Sequence, residues 1–302
     1  GQIVFVITIL STSQAKSLDK FDKASRVSDY FSGILLFSEN QYDKSQRFLK
    51  RLDGLESSHK NYSLKYLYSL VNSGNIKEAF AYSKKLEKKN LVSFESHLIS
   101  GVFHLKHSNR ELSKKYFQNA KNKSSGLILN DYISNSLYNW SSLSSLSQGK
   151  QQLNKLDERF ENIGKIQKIF LHCFFNSSET KTLFRKLTSN QNTDFSRYNY
   201  FYALYVASAE STKNAIEIVN SALKFYPRNL LINQYKIDLN ENKNASIFSC
   251  KKREHIIAEI LYITANALSS QSIHSLSNFY LNLARYLNED FHSYDTLLAE
   301  NF

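Results

Sequence analysis

Residues of catalytic and metal-binding type are few in this sequence and badly spaced. His97, His104 and His107 are its one histidine cluster. On a helix, His104 and His107 would share a face. With no cysteine nearby, they fall short of the ligand set that zinc requires. His172 and Cys173 are adjacent. Neighbours on a helix point about 100° apart, so they cannot act as base and nucleophile. Cys173 lies in the apolar run 169–175 and reads as a small core residue. An oxidising compartment would instead permit a bridge to Cys250, the other cysteine, and the spacing leaves that choice open. Asp157, Glu158 and Glu161 cluster in what a solvated turn explains. No phosphate-cradling glycine loop, H-E-x-x-H helix or G-x-S-x-G elbow occurs, and eight glycines leave little to build one from. The expectation is no enzyme, no metal and no cofactor.

Composition narrows the class of elements. The chain has 302 residues, 42% of them hydrophobic and 14% aromatic, with one Pro and two Cys. Such a chain is neither collagen-like, nor a disulfide scaffold, nor a disordered polyelectrolyte. What organises it is a repeat. Gly33, Leu67 and Gly101 are spaced by 34 residues, as are Ser45, Ala79 and Ser113, then Leu49, Ser83 and Phe117, then Leu52, Leu86 and Ala120. Small residues recur where backbones must approach, and most larger ones recur where a core must be filled. Phe31 to Phe37 and Tyr66 to Val71 are apolar at helical spacing, and each is followed by a polar turn, Ser38 to Gln41 and Asn72 to Asn75. A second amphipathic stretch follows each turn. One helix pair cannot bury its own apolar face, so such pairs must stack.

These features resemble the tetratricopeptide repeat family. The best single unit runs from Tyr198 to Pro227, with Ala203, Ala215 and Ala222 at the small positions and Pro227 at the turn between units. Gly74 and Ala79 match in an earlier unit, Gly101, Phe117 and Ala120 in the next, and Ala265, Leu281 and Ala284 in the last. The resemblance implies an all-α chain, a right-handed α-α superhelix of helix-turn-helix units. Clear units fall at about 26–58, 60–92, 94–126, 196–228 and 258–290, with degenerate ones at about 130–190 and 229–257. The family's aromatic at the fourth position is mostly absent, and Asn240 to Lys252 is irregular where a second helix should stand.

The resemblance further implies a concave groove lined by the first helices, which holds a partner peptide or helix. The positions that match its lining include Tyr30, Ile34, Leu64, Tyr68, Asn72, Leu98, Tyr200, Leu204, Tyr262 and Asn266, with Arg197 and Glu259 at the first position of their units. Tyrosine recurs there and gives rigid contact area with a hydroxyl, while Asn72 and Asn266 have the donors and acceptors to hold a peptide backbone. The alternative is that these rings pack between repeats. The carboxylate clamp that some family members use on chaperone C-termini has no counterpart, because Tyr30, Ile34, Leu64, Tyr68 and Leu98 stand in its place.

The net charge is +12. Much of it lies at Lys50-Arg51, Lys84-Lys85, Lys88-Lys89, Lys121 and Lys123, near the ends of second helices, where cations complement the macrodipole. That face is either merely solvated or weakly attracted to an acidic partner or an anionic membrane surface. No nucleic-acid recognition motif accompanies it. Ile3 to Leu10 is an unbroken apolar run followed by Ser13-Gln14-Ala15. Residues 1–15 therefore read as a signal peptide lacking its basic start, with Lys16 the first mature residue and 16–302 the repeat array. The run is otherwise a first element of the fold. The first reading puts the protein in a bacterial periplasm and the second in the cytoplasm. Residue 1 is Gly and the chain has no Met, so it reads as a piece of a longer protein. The expected function is a scaffold that binds a protein or peptide partner. The alternative is an interaction module of a larger protein with a catalytic or membrane domain elsewhere.

Overall fold

The computed structural model describes residues 23–124, 126–190, 193–243 and 247–301. The first fifteen residues, read above as a signal peptide, lie outside the described residues. Among the described residues the chain is all-α, with sixteen α-helices, two short 3-10 turns and no strand. Its contacts divide it into two compact units, one ending at Ser100 and one running from Gly101 to Asn301.

The first unit opens with α1 (23–38), α2 (Tyr42–Lys50), α3 (Lys60–Asn72) and α4 (Ile76–Lys88). A further helix, α5 (Phe94–Lys106), spans the division. Each helix follows its apolar spacing. In α4 the buried residues are Ile76, Ala79, Tyr82, Ser83 and Leu86, one stripe of a helix surface. Ser45 and Gly33 show why small residues recur. Ser45 Oγ donates to the Gly33 carbonyl at 2.8 Å, and a Cβ on Gly33 would stand 2.7 Å from Leu49 Cδ2. The same twelve-residue step recurs in the second unit, where Ser277 Oγ donates to the Ala265 carbonyl at 2.7 Å.

The turns repeat as closely as the core. Asn40, Gly74 and Ser108 all take positive φ, at 59°, 77° and 58°, and lie 34 residues apart. Each ends a helix in the left-handed region. The amide of the next residue then reaches back to the carbonyl five residues before it, as in Gln41 N to Leu36 O at 2.8 Å and Asn109 N to His104 O at 2.8 Å. Asn176, Asn242 and Ser272 close three more helices in this way.

The second unit continues with α6 (Arg110–Asn122), α7 (Ile128–Ser142), α8 (Leu146–Leu153), α9 (Glu161–Phe174), α10 (Thr180–Thr188), α11 (Tyr198–Ala209), α12 (Thr212–Phe225) and α13 (Leu230–Asn240). Side chains cap several starts: Asn109, Ser145, Ser211 and Asn229 each accept a backbone N–H from three residues on. Three helices complete it: α14 (Arg253–Ser269), α15 (His274–Leu287) and α16 (Ser293–Glu300).

Helix α14 differs from the rest. His255 to Leu261 are all buried, so it has no wet face over its first turns. It packs on α15, its successor, and also on α7 and α9, which precede it by some 80 to 110 residues in the chain. Consecutive packing therefore describes most of the second unit but not α14.

Candidate interaction surface

The inner-face residues expected from the repeat occupy different surroundings in the two units. In the first unit, Tyr30 is half-buried, with its hydroxyl 3.2 Å from His59 Nε2 and its ring 5.1 Å from the imidazole. His59 also caps α3, accepting the Tyr62 N–H on Nδ1. Ile34, Leu64 and Tyr68 are half-buried, and each keeps part of its side chain in solvent. Asn72 and Leu98 are buried. Beside this strip the Lys65 ammonium lies 4.2 Å from the centre of the Phe37 ring, and burial lowers its pKa.

In the second unit the corresponding side chains largely turn on one another. Arg197 and Glu259 form a bidentate pair, Nε to Oε1 at 2.8 Å and Nη2 to Oε2 at 2.9 Å, with Glu259 fully buried. Tyr198 donates to the same carboxylate at 3.3 Å, and Ser293 takes the third guanidinium nitrogen at 2.6 Å. The guanidinium lies 3.9 Å from the centre of the Tyr262 ring. Burial opposes a charge on Arg197, but the adjacent carboxylate outweighs it and raises the pKa. Tyr200 is 1% exposed and packs between Tyr235 and Phe291. Asn266 is exposed.

Leu204, another of the second-unit positions named for binding, lines a cleft. This cleft has a volume of about 360 Å³ and is walled by Phe170, Phe184, Phe201 and Phe248, with Cys173 and Cys250 at its edge. The two cysteines are joined in a disulfide with Cα atoms 6.0 Å apart, which settles the choice left open by the spacing. Its 77-residue separation ties α9 to the segment 247–252, where the irregular stretch ends. A larger cleft, about 610 Å³, opens between α10, α11 and α12, lined by Lys181, Arg185, Tyr202, Glu210 and Glu217 among others. Lys181 and Glu210 pair across it at 2.5 Å.

The lysines near second-helix ends are partly engaged within the fold. Glu56 is buried, and its Oε1 takes Lys89 at 2.7 Å and Lys85 at 3.0 Å, while Lys85 also pairs with Asp53. Burial would raise the Glu56 pKa, yet the Lys89 bond and the backbone amides of Glu56 and Gly54 bring it below the usual value. Two arginines serve a helix end in the second unit. Arg110 and Arg253 both donate to the Leu143 carbonyl, at 2.8 and 3.0 Å, just past α7.

The histidine cluster stays dispersed: His107 stacks on Phe103 at 4.3 Å and His104 on Tyr116 at 5.4 Å. Among the described residues no three His, Cys, Asp or Glu side chains gather as a metal site, and no helix is long and apolar enough to cross a membrane. Gln167, which no sequence pattern singles out, receives Trp140 Nε1 at 2.9 Å and donates to Tyr132 and Ser136. Phe248 is equally unmarked by pattern, and its ring lies 4.6 Å from that of Phe201. A lone aromatic in a polar run was the available signal. No protein-family model matches the chain, and no curated protein is similar to it in sequence.

Proposed function

We propose that the chain is a non-enzymatic scaffold of tetratricopeptide-like units, stacked as an α-α superhelix, that binds a protein or peptide partner on the inner faces of its first helices. The observation that carries this reading is the strip Tyr30, Ile34, Leu64 and Tyr68. Large apolar and aromatic side chains on two consecutive first helices keep exposed edges there, a composition enriched at interfaces. The Cys173–Cys250 bridge supports export, because disulfides persist in oxidising compartments.

The test is affinity capture with Tyr30→Ala combined with Tyr68→Ala, against a control at the exposed Lys77 of α4 (Lys77→Ala). The double variant loses partners that the parent and the control retain, while its melting temperature stays close to theirs. Retention of every partner by the folded double variant rejects this surface as the binding site.

A further inference from the structure

The segment 247–252 stands where a second helix of the repeat would lie, and no helix forms there. It is held in the way a bound peptide is held. One side chain is anchored: Phe248 is 3% exposed, with its ring 5.4 Å from Phe170, 4.6 Å from Phe201 and 6.3 Å from Phe291. Its backbone is gripped by side chains of the helices. Asn288 Nδ2 donates to the Ile247 carbonyl at 3.0 Å, and the Ser249 N–H donates to His255 Nδ1 at 3.0 Å. Lys251 reaches the carbonyls of Cys173 and Phe174 and the amide oxygen of Asn176, at the C-terminal end of α9. Cys250 supplies a covalent latch. These are an aromatic anchor, main-chain recognition and a terminal cation, the parts that extended-peptide recognition uses.

We propose that Ile247–Lys252 is an internal ligand of the α9–α11 face, and that this face receives an extended peptide with an aromatic residue followed three positions later by a basic one, once a dithiol opens the Cys173–Cys250 bridge. The inference rests on the partner-binding reading above and gives it a second site, a ligand class and a control. Cys250 is half-exposed beside the 360 Å³ cleft, so a small thiolate can reach its sulfur, whereas Cys173 is 2% exposed. Attack on Cys250 Sγ breaks the S–S bond and releases Cys173 as a thiolate, which takes up a proton. The second thiol of the reductant then displaces Cys250 as its thiol. Two electrons pass to the protein, and the dithiol ends as a disulfide. Without the latch, Phe248 and its neighbours leave a site contiguous with the cleft, and an incoming peptide competes with a tether rather than with a covalent bond.

The experiment measures binding of a fluorescent peptide copying residues 247–252, with serine in place of Cys250, to the full chain. Dithiol-treated protein binds it about tenfold or more tightly than oxidised protein. Cys250→Ser binds it like the reduced protein with no dithiol present, and adding Phe248→Ala to the reduced state tightens binding further. Equal affinity of oxidised and reduced protein, or no binding by either, overturns the proposal. The assay uses neither Tyr30 nor Tyr68, so its failure and that of the first surface are distinguishable.

Discussion

At the scale of single residues, the second unit concentrates its electrostatics in Arg197 and Glu259. Both were expected to face a groove, and both have the charge to meet a ligand. The structure instead pairs them, with Tyr198 and Ser293 completing the hydrogen bonds. Sequence spacing placed the two residues on inner faces but could not show that those faces meet, because that contact crosses 62 positions. A buried ion pair adds little net stability, yet removing one partner leaves the other charged and dry. Arg197→Ala is therefore expected to cost about 3–5 kcal/mol in urea unfolding. Arg197→Met with Glu259→Leu, which removes both charges, should recover most of that loss. A loss below about 1 kcal/mol for the single change would mean that Glu259 finds water or another cation.

At the scale of elements, the helix-closing turns are the most legible feature. Asn72-Ser73-Gly74-Asn75 reads as a turn from its residue types, and the 34-residue register carries that reading to Asn40 and Ser108. Glycine is the usual residue there, since a Cβ at positive φ costs about 1–2 kcal/mol. Ser108 and Ser272 hold φ near 58° and 59° without that freedom. Ser108→Gly and Ser272→Gly are each expected to stabilise the fold by about 0.5–1 kcal/mol, after the greater flexibility of unfolded glycine is deducted. Melting curves of the two variants measure this, and a lowered melting temperature would assign the serines a role beyond the turn. The segment 247–252 was not legible. It lies at the end of the irregular polar stretch 240–252, which reads as loop, and only tertiary contact reveals the burial of Phe248. The disulfide was equally hidden, because pairing depends on a Cα distance that spacing does not supply.

For the whole molecule, the basic residues have a structural account. Several of the 39 Lys and Arg residues are engaged by the fold: Lys85 and Lys89 pair with Glu56 and Arg51 with Asp29 at 3.3 Å, which neutralises charge, while Arg110 and Arg253 donate to a carbonyl beyond α7. The pH response follows from buried groups. Burial, helped by Lys252 and Lys106, brings the His255 pKa down to about 4, and the neutral ring accepts the Ser249 N–H. The unfolded ring titrates near 6.5. The unfolded state therefore binds more protons between those values. His255's contribution is fully present above about pH 6.5 and is lost as the pH falls to 4, roughly 3 kcal/mol in all. Urea midpoints across that range should fall with pH, and His255→Gln should flatten the slope. An unchanged slope would place the acid sensitivity elsewhere. Finally, α14 has a consequence for synthesis. The inner faces of α7 and α9 leave the ribosome some 80 to 110 residues before the helix that covers them. At about 5–20 residues per second that interval lasts roughly 4–20 seconds, during which the nascent chain carries an open apolar trough that a chaperone would have to shield.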